Sequence, residues 1–245
     1  PLNVSREILQ QNRVMAKIKS NSVKKVLDKI KTISKNKDKY EGFYNEFGRL
    51  LKEGVYQEFE HKEALTELLR FKSTKEDGYV SLQDYLDRMG SDQESIYYIT
   101  GTNESALRES PLLEMYKKKD IEVLILDDEI DEIIMPSIPT FKEKSLKSVN
   151  RSGAADELSN EDDKEKKDEL KPLIKKVKSV LGDKVKDIKI STRLTDSPSC
   201  LVADSSDPTA QMQKMFQQMG QMNMPAAKPI LEINPKHKIV KKMLK

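Results

Sequence analysis

The chain has 245 residues, enough for one large or two to three small domains, and is 35% charged against 36% hydrophobic with no Trp. Its single cysteine, Cys200, excludes an internal disulfide and suits a reducing cytoplasm, and no apolar run approaches the roughly 20 residues of a membrane span. The net charge of +3 hides local bias: residues 1–31 hold eight Lys/Arg against two acids, and residues 156–171 hold eight acids against four lysines.

Ser5 to Gln11 reads as a short helix, and Val14, Ile18, Val26, Ile30 and Ile33 keep a helical period in the next one. Tyr40, Phe43, Tyr44, Phe47, Leu50 and Leu51 predict an amphipathic helix ended by Gly54, and Ala64, Leu65, Leu68 and Leu69 mark another. The aromatic stripe is most simply a helix-packing core. Residues 73–78 form a turn, and Ser81 to Met89 a short helix. Ile96–Thr100 and Ile121–Leu126 are apolar strands joined by a helical stretch that runs to about Lys118. That is a βαβ unit, so the two strands should be parallel. Asp128 to Met135 reads as a helix stopped at Pro136, with its acids on a solvated face.

Arg151 to Asp168 is a polar linker or the exposed start of a helix. Leu170 to Leu181 is a helix closed by Gly182. Val185–Thr192 and Cys200–Ala203 read as strands joined by a turn at Asp196-Ser197-Pro198. Next, Asp207 and Pro208 suit the N-cap and first position of a helix. In that helix Met212, Met215, Phe216 and Met219 share one face, and Gln211, Gln213, Gln217 and Gln218 line the other. Such a stripe serves as flexible core filler or as an adaptable apolar binding surface, and spacing leaves both open. Ile230–Ile233 is a further strand, and Lys236 onward opens a helix. The chain starts at Pro1 without an initiator Met and stops inside that helical pattern, so it reads as a fragment of a longer protein.

Few residues suggest catalysis. Gly101 follows a strand, but the chain has no dinucleotide or P-loop fingerprint, and a plain loop glycine suffices. His61 and His237 belong to no Cys/His cluster, so no metal site is expected, and Cys200 reads as an inert packed thiol. The basic runs Arg13–Lys31 and Lys171–Lys178 keep a nucleic-acid or ribosome-associated adaptor as the alternative function, without the aromatic interleaving of single-strand binders. Arg6, near the start of a short helix, is an ion-pair former or a guanidinium free to meet an anion supplied by another domain.

The segment PLNVSREILQQN resembles the heat-shock protein 90 chaperone family in its bacterial HtpG form. The likeness continues through FGRLLKEG (Phe47–Gly54), LLRFKST (Leu68–Thr74), SLQDYLDRM (Ser81–Met89), IYYITG (Ile96–Gly101), IEVLILDDEIDE (Ile121–Glu132), RLTDSP (Arg193–Pro198) and LEINPKH (Leu231–His237). These blocks stand in the family's order over nearly the whole chain.

The resemblance implies an α/β fold (α+β overall) in three parts. Residues 1–72 would be the end of the large middle subdomain and a helical connector. Residues 73–152 would be a small αβα sandwich with the parallel βαβ unit, and residues 153–245 a mixed α/β C-terminal domain lacking most of the dimerisation helices. It implies a cytoplasmic, ATP-dependent molecular chaperone that binds unfolded or partly folded client proteins. ATP and Mg would belong to the full-length parent and not to this fragment, which should be inactive alone. Arg6 and Gln10 match the loop that reaches the ATP γ-phosphate in the N-terminal ATPase domain of the same chain. Met212, Met215, Phe216 and Met219 match the client-binding helix, and Glu132-Ile133 a second client patch where the family has an acid followed by Trp. The parent would be a homodimer, the fragment a monomer or a weak contact, with no membrane partner.

Overall fold

The computed structural model describes residues 13–158, 170–218 and 227–243, without the side chains of Phe216 and Gln218. The short helix predicted at Ser5–Gln11, the site residues Arg6, Gln10 and Met219, and the end of the expected linker lie outside the described residues. The chain forms two compact units, 1–70 and 71–245.

The first unit is helical: α1 (Arg13–Ile33), α2 (Lys37–Gln57) and α3 (Lys62–Leu68). Asn36 caps α2 by accepting from the Lys39 N–H at 3.0 Å. Tyr40, Tyr44, Leu51 and Val55 are buried, and the Tyr40 hydroxyl donates to the Leu68 carbonyl at 2.6 Å. Two expectations need correction. Gly54 does not end the helix, which runs on to Gln57 and closes with the Glu58 N–H donating to the Gly54 carbonyl. A Cβ at Gly54 would sit 3.1 Å from Leu65 Cδ1, so this glycine lets α3 approach. The apolar stripes are also only partly core, because Phe47, Leu50, Val14, Ile18 and Val26 are exposed. The stripe on α2 is wider than the strip that its packing against α3 can cover.

The second unit holds two sheets. The larger has the order β1-β3-β2-β5-β4, from β1 (Lys72–Ser73), β2 (Ser95–Thr100), β3 (Val123–Leu126), β4 (Thr140–Phe141) and β5 (Lys144–Ser148). As the βαβ reading requires, β2 and β3 are parallel, with Tyr97 opposite Val123 and Thr100 opposite Leu126. Every residue of both strands is buried, which explains their unbroken apolar runs. Before β2 lies α4 (Leu82–Arg88), where Ser81 and Asp84 form a reciprocal capping box. The crossover is two short helices rather than one, α5 (Glu104–Arg108) and α6 (Glu114–Lys118), with Pro111 opening a 3₁₀ turn between them. After β3, α7 (Asp131–Ile134) is shorter than predicted and passes into a 3₁₀ turn through Pro136.

The smaller sheet has the order β6-β8-β7, from β6 (Asp187–Ile190), β7 (Ser199–Val202) and β8 (Ile230–Ile233). The strands expected to flank a turn at 196–198 are not paired with each other, because β8 inserts between them, parallel to β6 and antiparallel to β7. Helix α8 (Lys171–Leu181) ends at Gly182, whose φ of +52° favours glycine. Its Leu173 packs with Ile188, Ile233 and Val240, the last on α10 (Lys238–Met243). Between β7 and β8 runs α9 (Ala210–Gln218). The architecture is mixed α/β with two mixed sheets.

The stretch from Arg151 is not a free linker over its described part. Arg151 donates to the carbonyls of Asp204, Ser205 and Asp207, and Ala155 is fully buried. One core cluster holds Tyr97, Tyr116 and Val149 together with Ala155, Val202 and Ile230. Arg193, 1% exposed, ties the two sheets: it donates to the backbone carbonyls of Val149 and Arg151 and pairs with Glu232 at 3.1 Å.

Candidate functional site

The methionine helix begins two residues later than its sequence suggests. Asp207 and Pro208 precede the cap, and Thr209 performs it. Its Oγ1 accepts from the Met212 N–H at 3.2 Å, and its carbonyl accepts from Gln213 N–H at 3.0 Å. Asp207 is engaged elsewhere, in an ion pair with Lys186 at 2.8 Å.

Thr209 also fixes the helix to the larger sheet. Its hydroxyl donates to Glu132 Oε2 at 2.9 Å, and Glu132 Oε1 accepts from Thr100 Oγ1 at 2.6 Å. Thr100 closes β2, Glu132 lies on α7 and Thr209 caps α9, so one carboxylate joins three elements. While Glu129 is exposed, Thr100, Glu132 and Thr209 are all buried, which corrects the expectation of a solvated acidic face at Glu132. Asp131 beside it is 1% exposed. The Glu132 carboxylate accepts from two neighbouring hydroxyls, as burial of a polar group demands. Glu132 is therefore a support beneath the surface, whereas Ile133 next to it is half-buried.

Helix α9 packs against α7. Met212 and Met215 are half-buried, while Lys214 and Gln217 face solvent. The structure thus brings together Glu132-Ile133 and the methionine helix, segments about 80 residues apart in sequence. Beside α9 a cleft of about 390 Å³ is bounded by Thr100, Gly101, Glu132, Val202, Gln211 and Lys214. Gln213 Nε2 donates to the Ala227 carbonyl at 3.4 Å and so ties α9 to the segment that leads into β8.

The remaining candidates resolve into packing or surface. A Cβ on Gly101 would meet Leu107 Cδ2 at 2.6 Å, so this glycine admits a side chain of α5 rather than a phosphate. The Cys200 thiol is pushed up to about 12 by burial first and by Glu232 second, as an inert packed thiol should be. Among the described residues no group of His, Cys, Asp and Glu could hold a metal ion. None of their helices is long and apolar enough to cross a membrane. The lysines of α1 and α8 lie on exposed faces, some in ion pairs such as Lys31–Glu67 at 2.7 Å and Lys178–Asp187 at 2.8 Å.

Sequence reasoning missed Thr209 and Thr100. Thr209 carried a readable signal, since threonine is a good N-cap residue immediately ahead of the helical period. Thr100 carried none, because its partner is set by the sheet register. Glu114 was missed as well: its carboxylate accepts from the N–H groups of Thr195, Asp196 and Ser197 at 2.6–3.2 Å and pins the loop between β6 and β7.

The family model described as Hsp90 protein matches residues 1–245. The chain is 52% identical over 252 residues to the Chaperone protein HtpG of Treponema denticola, covering 99% of this chain and 39% of that protein. It is 52% identical to the HtpG of Sulfurovum sp. and 54% identical to that of Aliarcobacter butzleri, again over 99% of this chain and 39% of each relative. The chain thus spans about 39% of the length of the curated relatives it matches.

Proposed function

Because the chain belongs to the Hsp90 protein family, we propose that it is the client-holding portion of an ATP-dependent molecular chaperone. Met212, Met215, Phe216 and Met219 would supply adaptable apolar contacts, and Ile133 the neighbouring patch. The observation that carries this reading is the Glu132–Thr209 bond, which sets the methionine helix beside the Ile133 segment. Ile133 stands where the family has Trp, so that half of the site offers apolar area without an aromatic ring.

The energetics suit the role. Each buried Met or Phe contributes about 1.5–3 kcal/mol, and ordering and association offset much of a few such contacts. What remains is weak, reversible binding, which a non-native polypeptide needs if it is to be released. In the full-length protein, which we propose is a cytoplasmic homodimer, Arg6 and Gln10 would reach the γ-phosphate of ATP held by a preceding domain. Arg6 would there offset charge on the phosphoryl group.

The test is suppression of aggregation of a thermally unfolding client by the 245-residue chain. Met212→Ser combined with Met215→Ser should weaken suppression severalfold while circular dichroism and Tm stay unchanged. Undiminished suppression by this folded variant would remove α9 from the client surface.

A further inference from the structure

A second cleft, of about 390 Å³, lies away from α9. Met115 of α6, Leu158, Ile190 at the end of β6, and Leu194 supply its apolar lining, alongside the polar Ser191, Thr192, Thr195 and Asn234. Lys118, Lys119 and Lys236 also line it, and no acid among the described residues does. Lys118 and Lys119 are exposed and form no ion pair with another described residue. Glu114, the nearest acid on α6, is already occupied by the three backbone N–H groups of residues 195–197.

The walls are built rigidly. The Met115 N–H donates to the Arg193 carbonyl at 3.1 Å. Asn234, fully buried, donates to the carbonyls of Thr195 at 3.2 Å and Ser197 at 3.0 Å. Ser191 accepts from the N–H groups of both Arg193 and Leu194. A cleft fixed in this way needs little ordering to accept a ligand.

We propose that this cleft binds the C-terminal end of a polypeptide. A terminal apolar side chain would lie on Met115, Leu158, Ile190 and Leu194, and the chain-end carboxylate would meet Lys118 and Lys119. Lys118 and Lys119, without an ion pair among the described residues and beside these apolar side chains, favour an anion on an apolar stem. The volume sits near the lower end of the roughly 300–1,000 Å³ of small-ligand sites, which suits the last two residues of a chain and exceeds the need of one short-chain acid. The residues involved are distinct from Met212, Met215 and Ile133, so this site stands or falls apart from the client surface.

The experiment titrates N-acetyl-Ala-Leu, its C-terminal carboxamide and 4-methylpentanoate into the 15N-labelled 245-residue chain, following the amide resonances of residues 190–195. The free acid of the dipeptide should saturate at submillimolar concentration, with its carboxamide at least about fivefold weaker. Lys118→Gln with Lys119→Gln should reduce the acid to the level of the carboxamide, as should raising salt to about 0.5 M. Lys175→Gln with Lys176→Gln, exposed on α8, should change neither. Equal binding of acid and carboxamide, or full affinity in the Lys118/Lys119 variant, would overturn the site. Tighter binding of 4-methylpentanoate than of the dipeptide would overturn the peptide assignment.

Discussion

Replacing Thr209 with Val keeps the shape of the side chain but removes its hydroxyl. Two bonds disappear together: donation to buried Glu132 and acceptance from the Met212 N–H. A hydrogen bond to a charged group contributes about 1.5–3 kcal/mol, and an N-cap about 1 kcal/mol. Glu132 Oε2 also loses its partner inside the fold. Helix α9 has nine residues, too few to persist without tertiary support. We therefore expect about 2.5–4 kcal/mol to be lost from the local stability of α9 and little from the rest of the unit. Backbone amides of residues 213–218 should exchange about hundredfold faster in hydrogen–deuterium exchange. The amides of β2 and β3 should keep their protection. Thr209→Ser retains both bonds and should exchange like the wild type, and client affinity should follow the same order. Unchanged exchange in Thr209→Val would show that α9 is held by other contacts and that the Glu132 link is incidental.

Arg88→Met should cost about 3–5 kcal/mol in urea unfolding, because it leaves Glu122 buried at 5% exposure without its two-pronged partner, now at 2.6 and 3.0 Å. Burial alone would raise the Glu114 carboxyl, yet the bonds from Ser197, Asp196 and Thr195 hold it below the usual carboxylate range. Its folded value is thus below its unfolded one, so the stability it contributes is present above the ordinary value of 4.5 and is lost as pH falls through the folded value. Glu114→Gln should lower stability at neutral pH by about 1–3 kcal/mol and flatten the acid limb of a stability-versus-pH series. The Cys200 thiol, raised to about 12, should resist iodoacetamide at pH about 8 in the folded chain and react readily in denaturant. Fast labelling of the native chain would contradict its packing.

Features dictated by local periodicity were readable from the sequence. The buried runs Ile96–Thr100 and Ile121–Leu126 announced parallel strands, and Leu170–Gly182 announced both the body and the end of α8. What escaped depended on partners distant in sequence. Gly54 carries the mark of a helix stop, yet Leu65 needs that space, and the local signal cannot tell the two uses apart. The order β6-β8-β7 escaped because the strand that enters between β6 and β7 lies beyond the whole of α9. Glu132 looks solvated only while Thr100 and Thr209 are unplaced.

At Glu132 the family likeness and the burial point in different directions. Resemblance marks the residue as part of a client patch, and composition marks it as surface. Burial at 5% contradicts the second, and the hydroxyl pair redirects the first, because an inward-facing carboxylate acts on a client through what it holds in place. It holds the N-terminus of α9, and the apolar face starts at Met212, three residues beyond the cap. Substitution at Glu132 and substitution at Met212 should therefore both weaken client binding, but by different routes. Glu132→Gln leaves Met212 in place and should raise amide exchange in α9. Met212→Ser removes contact area and should leave that exchange unchanged, since the cap bond uses the backbone N–H of residue 212 and not its side chain. A client-binding loss from Glu132→Gln with α9 exchange unaltered would put the carboxylate itself in contact with clients and refute its role as a support.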